Sequence, residues 1–337
     1  EICMTVLVTG SAGHLGEGLM RTLRGQGRAV RGLDIRASEW TDMVGSIVDP
    51  DVADRAMRGI EAVLHAATLH KPHLATHSNA DFIATNVSGT LNLLDAAQRH
   101  GVRAFVFTST TSAFGDALTP APGAPAAWID EGVASRAKNI YGVTKTTAED
   151  LCRLYSRNHG LPCIVLRTAR FFPEPDDDPH RRSRWSDENL KANEYLHRRA
   201  DIADLVDAHL LALERADSLR FAKFVLSATT PFQREDQSDL VRDAACVIER
   251  RAPGAAETYA LRGWNLPASI DRVYDNALAR SALGWLPRFD FGHILACARS
   301  GEDPRSALAR VIGIRGYHGE TYRDGLYPVL PPATGRP

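Results

Sequence analysis

The sequence predicts an α/β fold, a doubly wound parallel sheet with a smaller C-terminal substrate-binding cap. Three observations carry that expectation. A β-branched apolar run at 5–8 leads through Gly10, Gly13 and Gly16, at three-residue spacing, into a helical pattern. Apolar runs then alternate with amphipathic segments as far as residue 168. Beyond residue 170 the chain turns polar and loses its period. Strands alternating with helices specify parallel strands covered on both faces, joined by right-handed crossovers.

The unit at 5–23 reads as strand, tight turn, helix. Gly10 lets the chain turn, Gly13 lets backbone approach a pyrophosphate, and Gly16 lets the helix pack closely on the strand. With Ala12, His14 and Leu15 they form a cradle at a helix N-terminus, where free N–H groups and the dipole favour an anion. The helix ends near Gly25-Gln-Gly27, and a second strand at 29–33 closes on Asp34. An acid about 20 residues beyond the glycines accepts hydrogen bonds from an adenosine ribose in the Rossmann type of sheet. Such an acid favours NAD over NADP, whereas Arg36 offers a guanidinium to a 2′-phosphate. A carboxylate in this place also serves as ordinary loop chemistry.

The elements that follow are an apolar run at 43–48, containing Ser46 and Ile47, and a helix at 50–58. A strand at 62–67 reads AVLHAA, and a helix at 81–100 and a strand at 104–109 come next. A loop rich in Pro, Ala and Gly at 118–127 precedes a helix at 141–158 and a strand at 163–168. Residues 171–199 read as a loop or cap, followed by a helix at 201–214, a strand at 222–228, and helices at 238–250 and 276–283. The expected division is a cofactor domain at 4–170, to which a strand and helix return from about 200–228. A mainly substrate-binding region at 171–330 and a disordered tail at 331–337 complete it.

With 337 residues, 44% hydrophobic and 24% charged, the chain can bury a large core and a smaller one. Its formal net charge of -1 gives no electrostatic case for nucleic acid or an anionic membrane. No apolar run approaches the about 18 residues of a spanning helix, and the N-terminus shows no signal-peptide pattern. Cys3, Cys152, Cys163, Cys246 and Cys297 are scattered without C-x-x-C spacing, which reads as reduced thiols in a cytoplasmic protein.

The strongest chemical signal is Tyr141 with Lys145, in YGVTK. Positions four apart share a helix face, so a phenol and an ammonium can point at one ligand. With eight Tyr and five Lys in the chain, random placement gives about 0.12 such pairs. A phenol with a pKa of about 10 needs a shift worth about 4 kcal/mol to work as a base near pH 7. The expectation is that Lys145, a nicotinamide charge and partial burial supply it, making Tyr141 the acid/base. The strand end FTSTTSAFG at 107–115 adds small hydroxyls at the sheet edge, which also occur as plain turn chemistry.

TGSAGHLG, Asp34, HAA at 65–67, NVSGTLNLLDAA from Asn86, STTSAFG from Ser109 and YGVTK together resemble the extended short-chain dehydrogenase/reductase family, the NAD-dependent sugar epimerase and dehydratase group. The likeness is close over 4–170 and looser through RRADIADLVDAHLLAL. It implies NAD as cofactor, held by the glycine cradle, Asp34, Arg36, Ser46, Ile47, Ala66, Ala67, Thr68, Tyr141 and Lys145. By the same resemblance Tyr141 is the catalytic base, Lys145 holds the nicotinamide ribose and Thr110 takes the place of the family's catalytic Ser or Thr. Asn86 matches the family's active-site Asn, for which a structural role in its helix is an equal reading. The family's dimer interface, built from two helices of each subunit, implies a homodimer through the helices at 81–100 and 141–158.

Departures from the family bear on substrate. Sugar dehydratases of this kind carry Asp-Glu after the catalytic Thr, where this chain has Thr111 and Ser112, so dehydration is disfavoured. The family's Gly-Asp at the third strand is Gly45-Ser46 here, which alters the adenine contact. FPEP at 172–175 resembles uronate dehydrogenases, in which a downstream Arg pairs with the substrate carboxylate. Arg181, with Arg182, Arg184 and Arg170, is a candidate for that pairing, although a solvated basic run balanced by acids at 176–178 reads equally well. His70 and Thr111 are expected to touch substrate. His70, His73 and His77 lack a completing Cys or carboxylate, and hydride chemistry with NAD needs no metal, so none is expected. The sequence therefore predicts NAD-dependent hydride transfer at a secondary hydroxyl of a sugar, nucleotide sugar or sugar acid. Dehydrogenase and epimerase share the first half-reaction and stay unseparated, and a non-catalytic NAD(P)-binding sensor on the same fold is the alternative.

Overall fold

The computed structural model describes residues 5–176 and 178–315; Cys3, residues 316–330 and the tail at 331–337 lie outside the described residues. In chain order the strands are β1 (Val6–Thr9), β2 (Val30–Asp34), β3 (Met43–Val44), β4 (Ala62–His65), β5 (Ala104–Thr110), β6 (Ala127–Ile129), β7 (Cys163–Thr168), β8 (Phe221–Leu226) and β9 (Arg272–Tyr274). Seven of them pair in parallel in the order β3-β2-β1-β4-β5-β7-β8, and β6 pairs with β9 apart from that sheet. The order reverses at β1, so the crevice at its carboxyl end, between β1 and β4, is where this architecture receives ligands.

Alternation along each strand fills two cores. Val6 and Val8 face α1 (His14–Gly25), and Leu7 faces the opposite layer that includes α2 (Pro50–Met57). A 21-residue helical stretch follows β4: α3 (Asn79–Phe82), a π turn at Ile83–Ser88, then α4 (Gly89–Arg99). This stretch and α5 (Ile140–His159) cover the Leu7 face through Leu93, Leu94, Ala148 and Cys152.

Beyond β7 the chain departs from the expected loop. Residues 171–199 contain α6 (Pro179–Arg184) and α7 (Asp187–Tyr195). The second buries Asn189, Asn193 and Glu194 beside Leu190, Ala192 and Tyr195, the two amides donating to the Asn265 carbonyl at 3.0 and 3.2 Å. α8 (Ile202–Leu219) returns to the β1 face and leads into β8, close to the expected helix and strand. The expected helix at 238–250 is two, α9 (Gln237–Arg242) and α10 (Ala244–Arg251), split at Asp243, whose carboxylate caps the second. A third core gathers Tyr195, Phe232, Leu240, Val247, Tyr259 and Phe291 around these cap helices. The run at 43–48 pairs only through Met43 and Val44.

Candidate active site

At the carboxyl end of β1 the chain turns with Gly10 at φ 74, and a Cβ there would lie 2.8 Å from the Ala67 nitrogen. A Cβ on Gly16 would lie 1.9 Å from the Gly10 carbonyl, so only glycine lets α1 approach so closely. Gly13 caps α1 with no side-chain hydrogen bond, which leaves the helix N-terminus to an external anion. Asp34 closes β2 with Oδ2 accepting from the Ala12 N–H at 3.0 Å and Oδ1 from the Arg36 N–H at 2.9 Å.

A cleft of about 850 Å³ runs from this turn across the sheet edge. Gly10, Gly13, His14, Leu15, Gly16, Asp34, Arg36, Ser46, Ile47, Ala66, Ala67 and Thr68 line one part of it. His70, Thr110, Thr111, Tyr141, Lys145 and Arg170 line the rest. The size, the glycine walls, the uncapped helix and the acid at β2 fit a dinucleotide. Ala12, Asn86 and Arg181 are not among the lining residues.

Asn86 sits inside the π turn, buried, and spends its amide on protein. Its Oδ1 accepts from the Leu69 N–H and the Thr68 hydroxyl, each at 2.8 Å. Its Nδ2 donates to the Leu69 carbonyl and to Thr144 Oγ1, each at 3.1 Å. The Thr144 hydroxyl in turn reaches the carbonyls of Ile140 and Tyr141. Asn86 thus ties the loop after β4 to the turn of α5 that carries Tyr141. A second chain runs beside it: the Ala67 N–H donates to Thr9 Oγ1, Thr9 to His65 Nδ1, His65 Nε2–H to Thr90 Oγ1, and Thr90 to the Asn86 carbonyl. Only this direction gives every atom a consistent role, because a carbonyl accepts and never donates. His65 is accordingly neutral, with burial pushing its pKa down to about 3.

Tyr141 and Lys145 are both buried at the cleft wall. The Tyr141 ring packs on Phe82 and His70, with centroids 6.5 and 6.3 Å away. Burial pushes the phenol up to about 12, and only a hydrogen bond from Thr110 pulls it back. The expected lowering is the joint work of Lys145 and a nicotinamide charge; of the protein's own groups, Thr110 is the one that lowers the phenol, against burial. Burial lowers Lys145 itself to about 7, and its ammonium donates to the Thr108 carbonyl at 2.6 Å and lies 4.2 Å from the centre of the Phe107 ring. Burial is the largest influence on both groups, raising the phenol and lowering the ammonium.

On the cap side two of the four candidate arginines, Arg170 and Arg181, diverge. Arg170 lines the cleft while pairing with Asp176 at 2.5 Å. Arg181 turns to Asp176 and Glu194, at 2.9 and 3.5 Å, and stays behind the wall. Glu194 gathers Arg170, Arg181, Arg198 and Arg199, whose charges hold its carboxyl far below the usual range despite complete burial. Arg198 and Arg272 also line the cleft, and each has a buried Nε without a hydrogen-bond partner among the described residues. Sequence reasoning missed both; the doublet Arg198-Arg199 was visible, but nothing local says which guanidinium faces inward. At the glycine turn, His14 Nε2 lies 2.7 Å from Glu174 of the FPEP segment. Arg315 donates its N–H to the same carboxylate at 2.8 Å, donates from Nη1 to the Ala12 carbonyl at 3.2 Å, and pairs with Glu17.

Sheet, glycine cradle and the hydroxyl-rich β5 edge define a dinucleotide-binding α/β protein with Tyr141 and Lys145 lining its cleft. More narrowly, residues 6–225 match the model of the NAD dependent epimerase/dehydratase family, and the chain belongs to that family. Its cofactor is NAD, in keeping with the cradle and Asp34. A uronate dehydrogenase of Pseudomonas syringae pv. tomato is 28% identical over 182 residues, covering 51% of this chain and 61% of that protein. The chain thus matches only about six-tenths of the length of that enzyme. A 3 beta-hydroxysteroid dehydrogenase/Delta 5-->4-isomerase of Mycobacterium tuberculosis is 28% identical over 327 residues, covering 84% and 86%. A UDP-glucose 4-epimerase of Rhizobium leguminosarum bv. trifolii is 26% identical over 337 residues, covering 87% and 96%. Among solved structures, a short-chain dehydrogenase/reductase superfamily protein of Agrobacterium tumefaciens with bound NAD superposes with a TM-score of 0.62 at 25% identity, covering 91% of this chain and 99% of that one. The relatives are therefore chiefly dehydrogenases and epimerases of sugars and nucleotide sugars. Among the described residues no helix is long and apolar enough to cross a membrane.

Proposed function

We propose that the protein is an NAD-dependent dehydrogenase or epimerase acting on a secondary hydroxyl of a sugar, sugar acid or nucleotide sugar, with Tyr141 as the acid/base. The observation that carries this reading is the gathering of Tyr141, Thr110 and Lys145 on one wall of the cleft that begins at the glycine cradle. NAD, when bound, supplies the hydride acceptor and a positive ring charge that favours the phenolate. Tyr141 takes the proton from the substrate hydroxyl, and Thr110, within hydrogen-bonding reach of the phenol, orients that oxygen. Lys145 holds the ribose on the nicotinamide side. Asn86 acts through position, since its amide is committed to Leu69, Thr68 and Thr144.

Thr111 and Ser112 follow Thr110 along the cleft, with no carboxylate between them to protonate a leaving hydroxyl, which supports disfavouring dehydration. Arg170, Arg198 and Arg272 on the cleft lining favour a substrate bearing an anionic group. A homodimer through α4 and α5 is part of the proposal, supported by the exposed Val143 and Leu154 on α5 and Ile83 beside α4. The test is incubation with NAD and panels of uronic acids, nucleotide sugars and neutral sugars, following NADH absorbance and product stereochemistry. Net NADH identifies a dehydrogenase, and interconversion without NADH an epimerase. Neither with any of them, in a protein that binds NAD, refutes the reading.

A further inference from the structure

Tyr141, Lys145 and Glu149 succeed one another at four-residue intervals, so α5 presents all three on one face. The proposed function uses the first two and leaves the third unexplained. Glu149 is 2% exposed, and its two oxygens take every bond that a carboxylate can. Oε1 accepts from the Ser109 hydroxyl of β5 at 2.6 Å and from Arg167 Nε of β7 at 2.8 Å. Oε2 accepts from Arg167 Nη2 at 2.6 Å and pairs with Lys223 of β8 at 2.6 Å. Three adjacent strands thus grip one helical side chain, one turn beyond the lysine. Ser109 is the neighbour of Thr108, whose carbonyl receives the Lys145 ammonium. Arg167 is itself 2% exposed and lies with its guanidinium carbon 4.5 Å from the centre of the Phe114 ring.

We propose, on the basis of the function given above, that Glu149 is a positioning residue: its carboxylate pins α5 so that Lys145 faces the cleft, and its charge keeps Lys145 an ammonium. The second half follows from the charges that surround Lys145. From α5 come Tyr141, Glu149 and Cys152; from β4 and the segment after it, the neutral His65 and His70; from β7 and β8, Arg167 and Lys223. Both cations belong to the cluster centred on Glu149, and the groups that support the ammonium are Glu149 first and Cys152 second. With Lys145 lowered to about 7, a modest change of neighbouring charge decides whether it carries a proton at neutral pH.

The experiment is a lysine titration by NMR on the full chain labelled with carbon-13 at Cε. Five lysines give five resonances, and Lys145→Met identifies the one in question. The expected midpoint for Lys145 is near 7. Glu149→Gln moves it down by about one unit or more, and Lys223→Met, which removes a partly exposed cation, moves it up. A midpoint unmoved by both changes, or moved the same way by both, overturns the proposal. Should Glu149→Gln fail to fold, Lys223→Met decides alone, an upward shift supporting the proposal and no shift or a downward one refuting it. The titration needs no substrate, so a protein that turned over nothing would refute the proposed function and leave this result standing.

Discussion

Replacing Asn86 by Ala removes four hydrogen bonds at once: two accepted from Thr68 and Leu69, and two donated to Leu69 and Thr144. An intramolecular hydrogen bond contributes about 0.5–1.5 kcal/mol net, and a buried group left without a partner costs about 1–3 kcal/mol. The bonds to Thr144 and to Leu69 differ in exposure, since the first is buried and the others are reached by water in part. Weighting them so gives an expected loss of about 2–4 kcal/mol. Urea unfolding reads it directly, as a lower midpoint at unchanged slope. Turnover falls as well, because Thr144 binds the carbonyls of Ile140 and Tyr141 and transmits the disturbance to the first turn of α5. A variant as stable as the parent, within about 0.5 kcal/mol, yet with turnover abolished would refute this reasoning. Asn86 would then act on the substrate itself.

Tyr141→Phe is expected to lower kcat by about 100- to 10,000-fold while NAD binding, read by fluorescence titration, stays as it was; substantial residual turnover would remove Tyr141 from the chemistry. Asp34→Ser takes away the carboxylate that repels a 2′-phosphate and leaves Arg36 in the cleft. The ratio of NAD to NADP affinity is expected to drop by about tenfold or more, and an unchanged ratio would exclude Asp34 as the discriminator. Stability is expected to decline on acidification. His65 and His209 stay neutral in the fold to about 3 and about 4, whereas unfolded imidazoles protonate at their ordinary value of 6.5. Each therefore subtracts about 1.4 kcal/mol per pH unit below that value. Burial raises Asp204 to about 6, which works the other way and offsets part of the loss. Thermal melts that are flat or rising from pH 6.5 down to pH 5 would contradict this account.

Much of the cofactor half was legible because its signals are local. A glycine turn, an acid ending the next strand and a Tyr/Lys pair at helical spacing declare themselves within a few residues each. The substrate half was not. Arg272 reaches the cleft on β9, which pairs with β6 across some 145 positions, from Ala127 to Arg272. Arg170 and Arg181 pair with the same two acids, Asp176 and Glu194, and nothing in the sequence says which of the two guanidinium groups reaches the cleft. α7 hid because Asn189, Asn193 and Glu194 are buried beside Leu190, Ala192 and Tyr195, which breaks the apolar period. The burial of Tyr141 and Lys145 has the same origin: spacing places phenol and ammonium on one helix face, but the desolvation that each suffers is a property of the assembled core.

Arg315 touches the Ala12 carbonyl across 303 positions. Contacts between such distant parts of a chain are slow to find, since the intervening segment must already be ordered. A cut or fusion placed just before Arg315 would thus be felt as weaker nucleotide grip at the opposite end of the sequence.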